Sequence, residues 1–196
     1  MLNTMFIVVA NLVPVLGVYL LSWSTFEFFI AYWFEAIIIG LFTFVRILCA
    51  KKVPAADTVP YSHLSTKQKI GYALFFLIWY SIFLGVFLFF ITFETSEMHN
   101  KLFLMGNLAF WIPVGIFFAK HIVKFLTEWS QKMFELLGPD RAFMPAIKWV
   151  VVVLSILIVG GFFSLKDSDG KVFVIVFFVL KSVFEIYQLR KKRSLN

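Results

Sequence analysis

The chain contains uninterrupted apolar stretches as long as a lipid bilayer is thick. The longest, Ile70 to Phe93, is 24 residues without a charged side chain. An α-helix needs about 20 apolar residues to cross a hydrocarbon core of about 30 Å. Backbone polar groups in that core must be satisfied internally, and a helix does this within one segment. The sequence therefore predicts an all-α membrane protein.

Apolar stretches of this kind follow one another along the whole chain. Only 15% of the 196 residues are charged, whereas a soluble domain carries about 25%. No polar stretch is long enough to suggest a separate soluble domain. We expect a single polytopic transmembrane domain over residues 1–196, with six transmembrane helices at about 5–23, 26–45, 70–93, 102–119, 149–165 and 172–189.

An additional helix is predicted between the fourth and fifth spans. From Lys120 to Gly138, apolar residues such as Phe125, Trp129 and Met133 recur at helical spacing, and charged residues fill much of the remainder. This pattern is typical of an amphipathic helix that lies along the cytoplasmic membrane interface. The alternative is a connector that continues the fourth span and extends its lysines towards water.

The basic residues predict the topology. The loop from Arg46 to Lys69 holds five, the segment from Lys120 to Lys148 holds five, and the C-terminal tail holds four; the other side holds Lys101, Lys166 and Lys171. Because Lys and Arg gather on the cytoplasmic side, this split of 14 to 3 predicts both termini in the cytoplasm, in an inner or plasma membrane. The same rule accounts for the net charge of +7, so the bilayer and not nucleic acid is the expected partner.

Two charged residues lie in the middle of apolar spans. Glu35 is the tenth of 20 residues in the span 26–45, and Lys181 is the tenth of 18 in the span 172–189. Both predicted helices run towards the cytoplasm, so the two side chains lie at nearly the same depth. A lone charge in hydrocarbon is costly and is usually paired and turned inwards. We therefore predict that Glu35 and Lys181 meet inside the bundle.

Other polar side chains are placed to join this pair. Glu185 and Gln188 follow Lys181 at spacings i+4 and i+7, on one face of the helix. Arg46 lies eleven residues after Glu35 and returns to nearly the same face, where it could meet Glu185 or Gln188. The predicted buried polar cluster therefore comprises Glu35, Lys181, Glu185, Asn11, Tyr32, Arg46 and Gln188.

Two kinds of function fit such a cluster. Charges inside a membrane often mark ion paths or proton relays, which favours a small ion- or proton-linked transporter or channel subunit that works as a homo-oligomer. The cluster could instead be structural, in a scaffold or interaction protein that transports nothing. An enzyme is disfavoured, because no catalytic pair lies at a convincing depth. The three histidines fall in separate segments and there is one cysteine, so neither a metal nor a cofactor is predicted.

Three short motifs resemble a known family. In chain order they are Asn11-Leu12-Val13-Pro14 with Gly17, Tyr32-Trp33-Phe34-Glu35 with Gly40, and Lys181 with Glu185. Together they resemble a prokaryotic integral-membrane family, domain of unknown function 6498. The resemblance implies a membrane fold and no particular activity.

This chain departs from the family pattern at three positions. The pattern has Asn where this chain has Ala36, tends to have Asp at the position of Glu185, and has a histidine near Gln188. These departures weaken a metal-binding or proton-shuttling role for the cluster.

Overall fold

The computed structural model of the protein describes residues 2–51, 64–93, 108–131, 138–164 and 171–193. Within these ranges the chain is helical, with short connecting turns and no strand, as the sequence predicts. The six helices are α1 (Leu2–Leu20), α2 (Thr25–Cys49), α3 (Thr66–Phe93), α4 (Leu108–Ser130), α5 (Pro139–Ser164) and α6 (Lys171–Arg193).

Four of these helices are long and apolar enough to cross a membrane. The membrane-crossing candidates lie in α2, α3, α4 and α6, at Thr25–Cys49, Thr66–Thr92, Ala109–Ser130 and Lys171–Arg190. In α1 and α5 the apolar parts are shorter, Thr4–Leu20 and Ala142–Ile156. Within the described residues, length and composition thus support four helices as membrane helices.

The fourth and fifth helices differ most from their predicted bounds. α4 continues through Ala119, the predicted end of the span, as far as Ser130. The described part of the predicted amphipathic segment is therefore a continuation of α4 and not a separate helix. α5 begins at Pro139, well before the predicted start at Trp149, and contains Pro145. Proline is well accommodated at the first position of a helix, where its missing N–H has no partner to lose.

Some predicted features lie outside the described residues. They include the connection between the third and fourth helices (residues 94–107), the end of the amphipathic segment (residues 132–137) and the charged turn before α6 (residues 165–170).

α2 is the central helix of the bundle. It contacts each of the other five helices described above. In the most apolar part of α2, 61% of the residues are buried, compared with 22% to 28% in the corresponding parts of the other three membrane-crossing candidates. A capping box fixes the start of α2. Ser24 N–H donates to Glu27 Oε2 at 2.7 Å, and Glu27 N–H donates to Ser24 Oγ at 3.3 Å. Two backbone donors that would otherwise be unpaired are thus satisfied. This central position puts Glu35 in the middle of the protein.

A close contact between α2 and α3 holds the central helix in place. The ring of Tyr80 lies directly over Gly40, so that a Cβ at position 40 would stand 2.5 Å from it. The Tyr80 hydroxyl donates a hydrogen bond of 2.8 Å to the carbonyl of Ala36, one turn earlier on α2. Small residues on α2 thus let an aromatic side chain reach its backbone, as in other closely packed membrane helices.

Candidate functional site: a buried cluster of four charges

Four charged side chains from three helices meet inside the bundle. They are Glu35 on α2, Lys120 on α4, and Lys181 and Glu185 on α6; their side chains are 0%, 9%, 0% and 12% exposed. Two carboxylates and two ammonium groups give a net charge of zero. We call these four residues the charge cluster.

Glu35 contacts both lysines, one through each carboxylate oxygen. Lys120 Nζ donates a hydrogen bond to Glu35 Oε1. Lys181 Nζ lies 3.0 Å from Glu35 Oε2, but the angle at this contact does not suit a hydrogen bond, and Oε2 accepts none among the described residues. The Lys181 contact with Glu35 is therefore ionic, whereas the Lys120 contact is both ionic and hydrogen-bonded.

Glu185 closes the arrangement on the opposite side. Lys181 Nζ lies 2.6 Å from Glu185 Oε1, one helical turn away on α6, and Lys120 Nζ lies 3.3 Å from Glu185 Oε2. Each lysine thus touches both carboxylates, and each carboxylate touches both lysines. This alternation repays much of the cost of taking four charges out of water, because every charge has two opposite neighbours.

Neutral polar groups from α1 and α2 complete the hydrogen bonding. Asn11 is fully buried; its Oδ1 accepts from Lys181 Nζ at 2.5 Å, and its Nδ2 donates to Glu185 Oε2 at 3.3 Å and to Ser182 Oγ at 3.4 Å. The hydroxyl of Tyr32 donates to the backbone carbonyl of Asn11 at 3.0 Å. Tyr32 therefore ties α1 to α2, and Asn11 ties α1 to the charges on α6.

His121 is a fifth ionisable group at the charge cluster. Its Nε2 lies 3.3 Å from Glu35 Oε1, the same oxygen that accepts from Lys120, and its side chain is 12% exposed. His121 follows Lys120 directly on α4, so one short stretch of that helix brings two groups to one carboxylate. The charge balance of the cluster does not need this histidine.

Aromatic rings enclose the two ammonium groups. Lys181 Nζ lies 4.8 Å from the ring centroid of Tyr32 and 5.7 Å from those of Phe117 and Trp149, and Lys120 Nζ lies 5.2 Å from that of Phe117. Trp149 on α5 also donates its indole N–H to Glu185 Oε1 at 3.4 Å. Ring faces attract cations, so these aromatic side chains add to the compensation of the two lysines.

A second ion pair joins α2 to α4 nearer their ends. Arg46 Nε lies 2.9 Å from Glu128 Oε2, and the two side chains are 13% and 12% exposed. The guanidinium carbon of Arg46 also lies 5.9 Å from the ring centroid of Phe125. We call Arg46 and Glu128 the outer pair.

Five of the seven residues predicted for the buried polar cluster lie together in the structure. The predicted contact between Glu35 and Lys181 is present, at 3.0 Å and with both side chains fully buried. Glu185, Asn11 and Tyr32 join them, as expected.

Two of the predicted residues are not part of the cluster. Arg46 was expected to meet Glu185 or Gln188, and this prediction was wrong, because the guanidinium is held by Glu128 on α4. No hydrogen bond joins Gln188 to the cluster in the part of the chain that the structure describes, although its side chain is partly buried.

Sequence reasoning missed four residues of the site: Lys120, His121, Ser182 and Trp149. Lys120 was assigned to the cytoplasmic side because a charge at the end of an apolar run usually marks the interface. Charge balance indicated a second buried cation, and that part was assigned to Arg46 instead of Lys120. Glu35 and Glu185 together carry one negative charge more than Lys181 neutralises, so a second buried cation was needed.

The fold and the site together define the class of protein: an all-helical bundle with membrane-type helices around a buried, charge-balanced cluster. More specifically, the chain belongs to a family of unknown function, DUF6498, whose sequence model matches residues 1–196. No curated protein and no solved structure matches the chain.

Proposed function

We propose that the protein is a small proton-linked membrane transporter or channel subunit, in which Glu35 and His121 form the proton site. The observation that carries this proposal is the presence of His121 at a cluster that is already neutral without it. A structural clasp needs only balanced charges, whereas a relay needs a side chain that can gain and lose a proton, as an imidazole can. The sequence lacks the histidine expected near Gln188, but His121 brings an imidazole to Glu35 from α4.

The two groups on Glu35 Oε1 supply a way to couple proton binding to movement. When His121 takes up a proton, a second positive charge stands beside Lys120, and both compete for the same oxygen. Lys120 has a second acceptor in Glu185, so it can shift towards α6 without losing all its compensation. A proton arriving at His121 therefore strengthens the contact of His121 with Glu35 and lets Lys120 move towards Glu185 on α6, so that the contacts among α2, α4 and α6 change together. A transport cycle requires a switch of this kind.

The proposed setting is a bilayer that all six helices cross, in an inner or plasma membrane. Four helices are supported by length and composition; α1 and α5 are included because they carry Asn11 and Trp149, which face the charge cluster from the remaining sides. With Lys120 moved into the bundle, the basic residues still divide 13 to 3, so both termini are placed in the cytoplasm. The end of α4 lies at the cytoplasmic interface, and the bundle assembles with further copies of itself.

Proton movement into vesicles tests this function directly. The full chain, reconstituted into liposomes with a pH-sensitive dye inside, should acidify the lumen when the outside is made acidic. Glu35→Gln should abolish this flux, and His121→Gln should reduce it by at least about tenfold, as expected for a group that transfers protons. Glu27→Gln is the matched control: it makes the same chemical change on α2, and glutamine can still serve the capping box.

The alternative function is a scaffold or interaction protein in which the cluster is purely structural. The exact pairing of two acids with two bases favours it, because a neutral network needs no substrate. Wild-type protein that conducts no more protons than empty liposomes would support this alternative and contradict the proposal. A flux that His121→Gln leaves unchanged would contradict the part of the proposal that gives His121 a role in the proton site.

A further inference from the structure

Part of the Arg46 guanidinium makes no hydrogen bond in the outer pair. Arg46 Nε donates to Glu128, but Nη2 is buried and has no hydrogen-bond partner among the described residues. A guanidinium always carries its charge and offers five N–H donors in a fixed plane. Leaving a buried charged donor without an acceptor is costly. The position therefore calls for an acceptor, and one with negative charge suits it best.

An apolar surface leads away from this guanidinium along the seam between α2 and α4. Phe42 lies 5.3 Å from Phe125 and 5.8 Å from Phe118 between ring centroids, and Phe125 lies 5.9 Å from Trp129. Phe118 is 48% exposed and Trp129 is 53% exposed. We call these four rings the aromatic strip. Phe42 and Phe118 continue it from Arg46 towards the middle of the helices, and Trp129 lies at the other end.

The charge around Arg46 also suits an anion. Lys124 lies one helical turn before Glu128 on the same face of α4 and is exposed to solvent. Arg46 and Lys124 bring two positively charged side chains to this part of the seam. Both attract a negative ligand that lies beside Arg46.

We propose that the seam between α2 and α4 binds an anionic phospholipid. Its phosphate accepts from Arg46 Nη2, and an acyl chain covers Phe42, Phe125 and Phe118. The Arg46 side chain lies at the edge of the bundle, 13% exposed, so a small rotation presents Nη2 to the ligand. Guanidinium and phosphate form short, charge-assisted hydrogen bonds. A free phosphate has the same headgroup chemistry but leaves the exposed rings uncovered, which is why the lipid is the better occupant.

Native mass spectrometry of the purified full chain with dioleoyl phosphatidylglycerol tests this site. Wild-type protein should retain a bound lipid, and Arg46→Gln should weaken its binding by about tenfold, the loss expected for one charge-assisted contact. Arg190→Gln, the same change at an exposed position near the end of α6, should bind like the wild type. Diacylglycerol with the same chains should not replace the lipid, because it lacks the phosphate.

A second variant distinguishes lipid binding by Arg46 from a purely structural role of the outer pair. Glu128→Gln removes the competing carboxylate and should tighten lipid binding, whereas a purely structural pair would give no gain. Equal binding by wild type and Arg46→Gln would overturn the proposal. Displacement of the lipid by inorganic phosphate at similar concentration would show a free-anion site and overturn the choice of a lipid. If Arg46→Gln does not fold, Glu128→Gln decides alone. Lipid binding in Glu128→Gln that is unchanged or weaker than in the wild type would then overturn the proposal.

Discussion

The charge cluster and the outer pair both join α2 to α4, and they differ in how their charges are compensated. Glu35 and Lys120 are 0% and 9% exposed, and each contacts two opposite charges. In the outer pair, Arg46 and Glu128 share one contact of 2.9 Å and are 13% and 12% exposed. A fully buried charge must replace its whole hydration shell with protein groups, whereas a charge at the edge can keep some water.

The two sites should therefore respond differently to the loss of one member. In the cluster, removing a carboxylate strands a lysine that has no route to water, so the effect falls on the whole network. In the outer pair, the remaining side chain can turn outwards. The difference in exposure between the sites is small, but each member of the charge cluster contacts two opposite charges of the cluster, whereas Arg46 and Glu128 share one contact. Variants of each site separate the effect of exposure from the effect of these contacts.

The largest effect is expected for Glu35→Gln. This change leaves Lys120 and Lys181 with a single carboxylate and should lower the free energy of unfolding by about 3–5 kcal/mol, as when other buried pairs are broken. Adding Lys120→Met restores neutrality and should recover a large part of that loss. Adding Lys181→Met should recover less, because it also removes the donor to Asn11 Oδ1 and one of the donors to Glu185. Denaturant unfolding of the purified variants in detergent measures all three.

Additivity is the outcome that would contradict this view of the cluster. If Glu35→Gln combined with Lys120→Met loses the sum of the two single losses, the residues do not interact, although their atoms are in contact. Glu27→Gln again serves as the control for a Glu→Gln change on the same helix, and it should unfold at nearly the wild-type denaturant concentration.

A smaller effect is expected for Asn11→Leu. The amide is fully buried and contacts both charged residues of α6 as well as Ser182. Leucine has a similar size but satisfies none of these groups, so unfolding should become easier by about 1–3 kcal/mol, the usual cost of an unsatisfied buried partner. The shift in thermal midpoint measures it. No shift would mean that Lys181 is fully satisfied by the two carboxylates, and that compensation by charge alone is enough.

The sequence was sufficient to predict the helical fold and the central pair. Apolar stretches such as residues 70–93 are long enough to be read directly as helices, and α3 follows that range closely, from Thr66 to Phe93. The contact between Glu35 and Lys181 was predictable because an unpaired charge in hydrocarbon is too costly to persist. Equal depth then left few possible partners.

The partners of α4 could not be predicted, and the reason is physical. Hydropathy treats a charged residue near the end of an apolar run as the end of the span, so Lys120 and His121 were assigned to the interface. In the structure the helix continues, because Glu35 and Glu185 compensate Lys120 inside the bundle. The position of Arg46 was derived from the angle between residues on one helix. That angle fixes a face, but it does not say which neighbouring helix covers that face.

The smallest effect is expected at the outer pair, and salt makes it measurable. Arg46→Gln should lower the free energy of unfolding by only about 0.5–1.5 kcal/mol, because a hydrogen-bonded pair at the edge of the bundle is partly compensated by water. Glu128→Gln should cost a similar amount, and the double variant little more, since the second change removes a group that has already lost its contact with the other member of the outer pair. Raising the ionic strength from about 0.1 M to about 1 M shortens the screening length to about 3 Å and should shrink this loss, while the loss in Glu35→Gln stays the same because salt does not enter the buried cluster. Equal salt sensitivity at both sites would contradict this expectation, because it would mean that burial does not shield the charge cluster from salt any better than the outer pair.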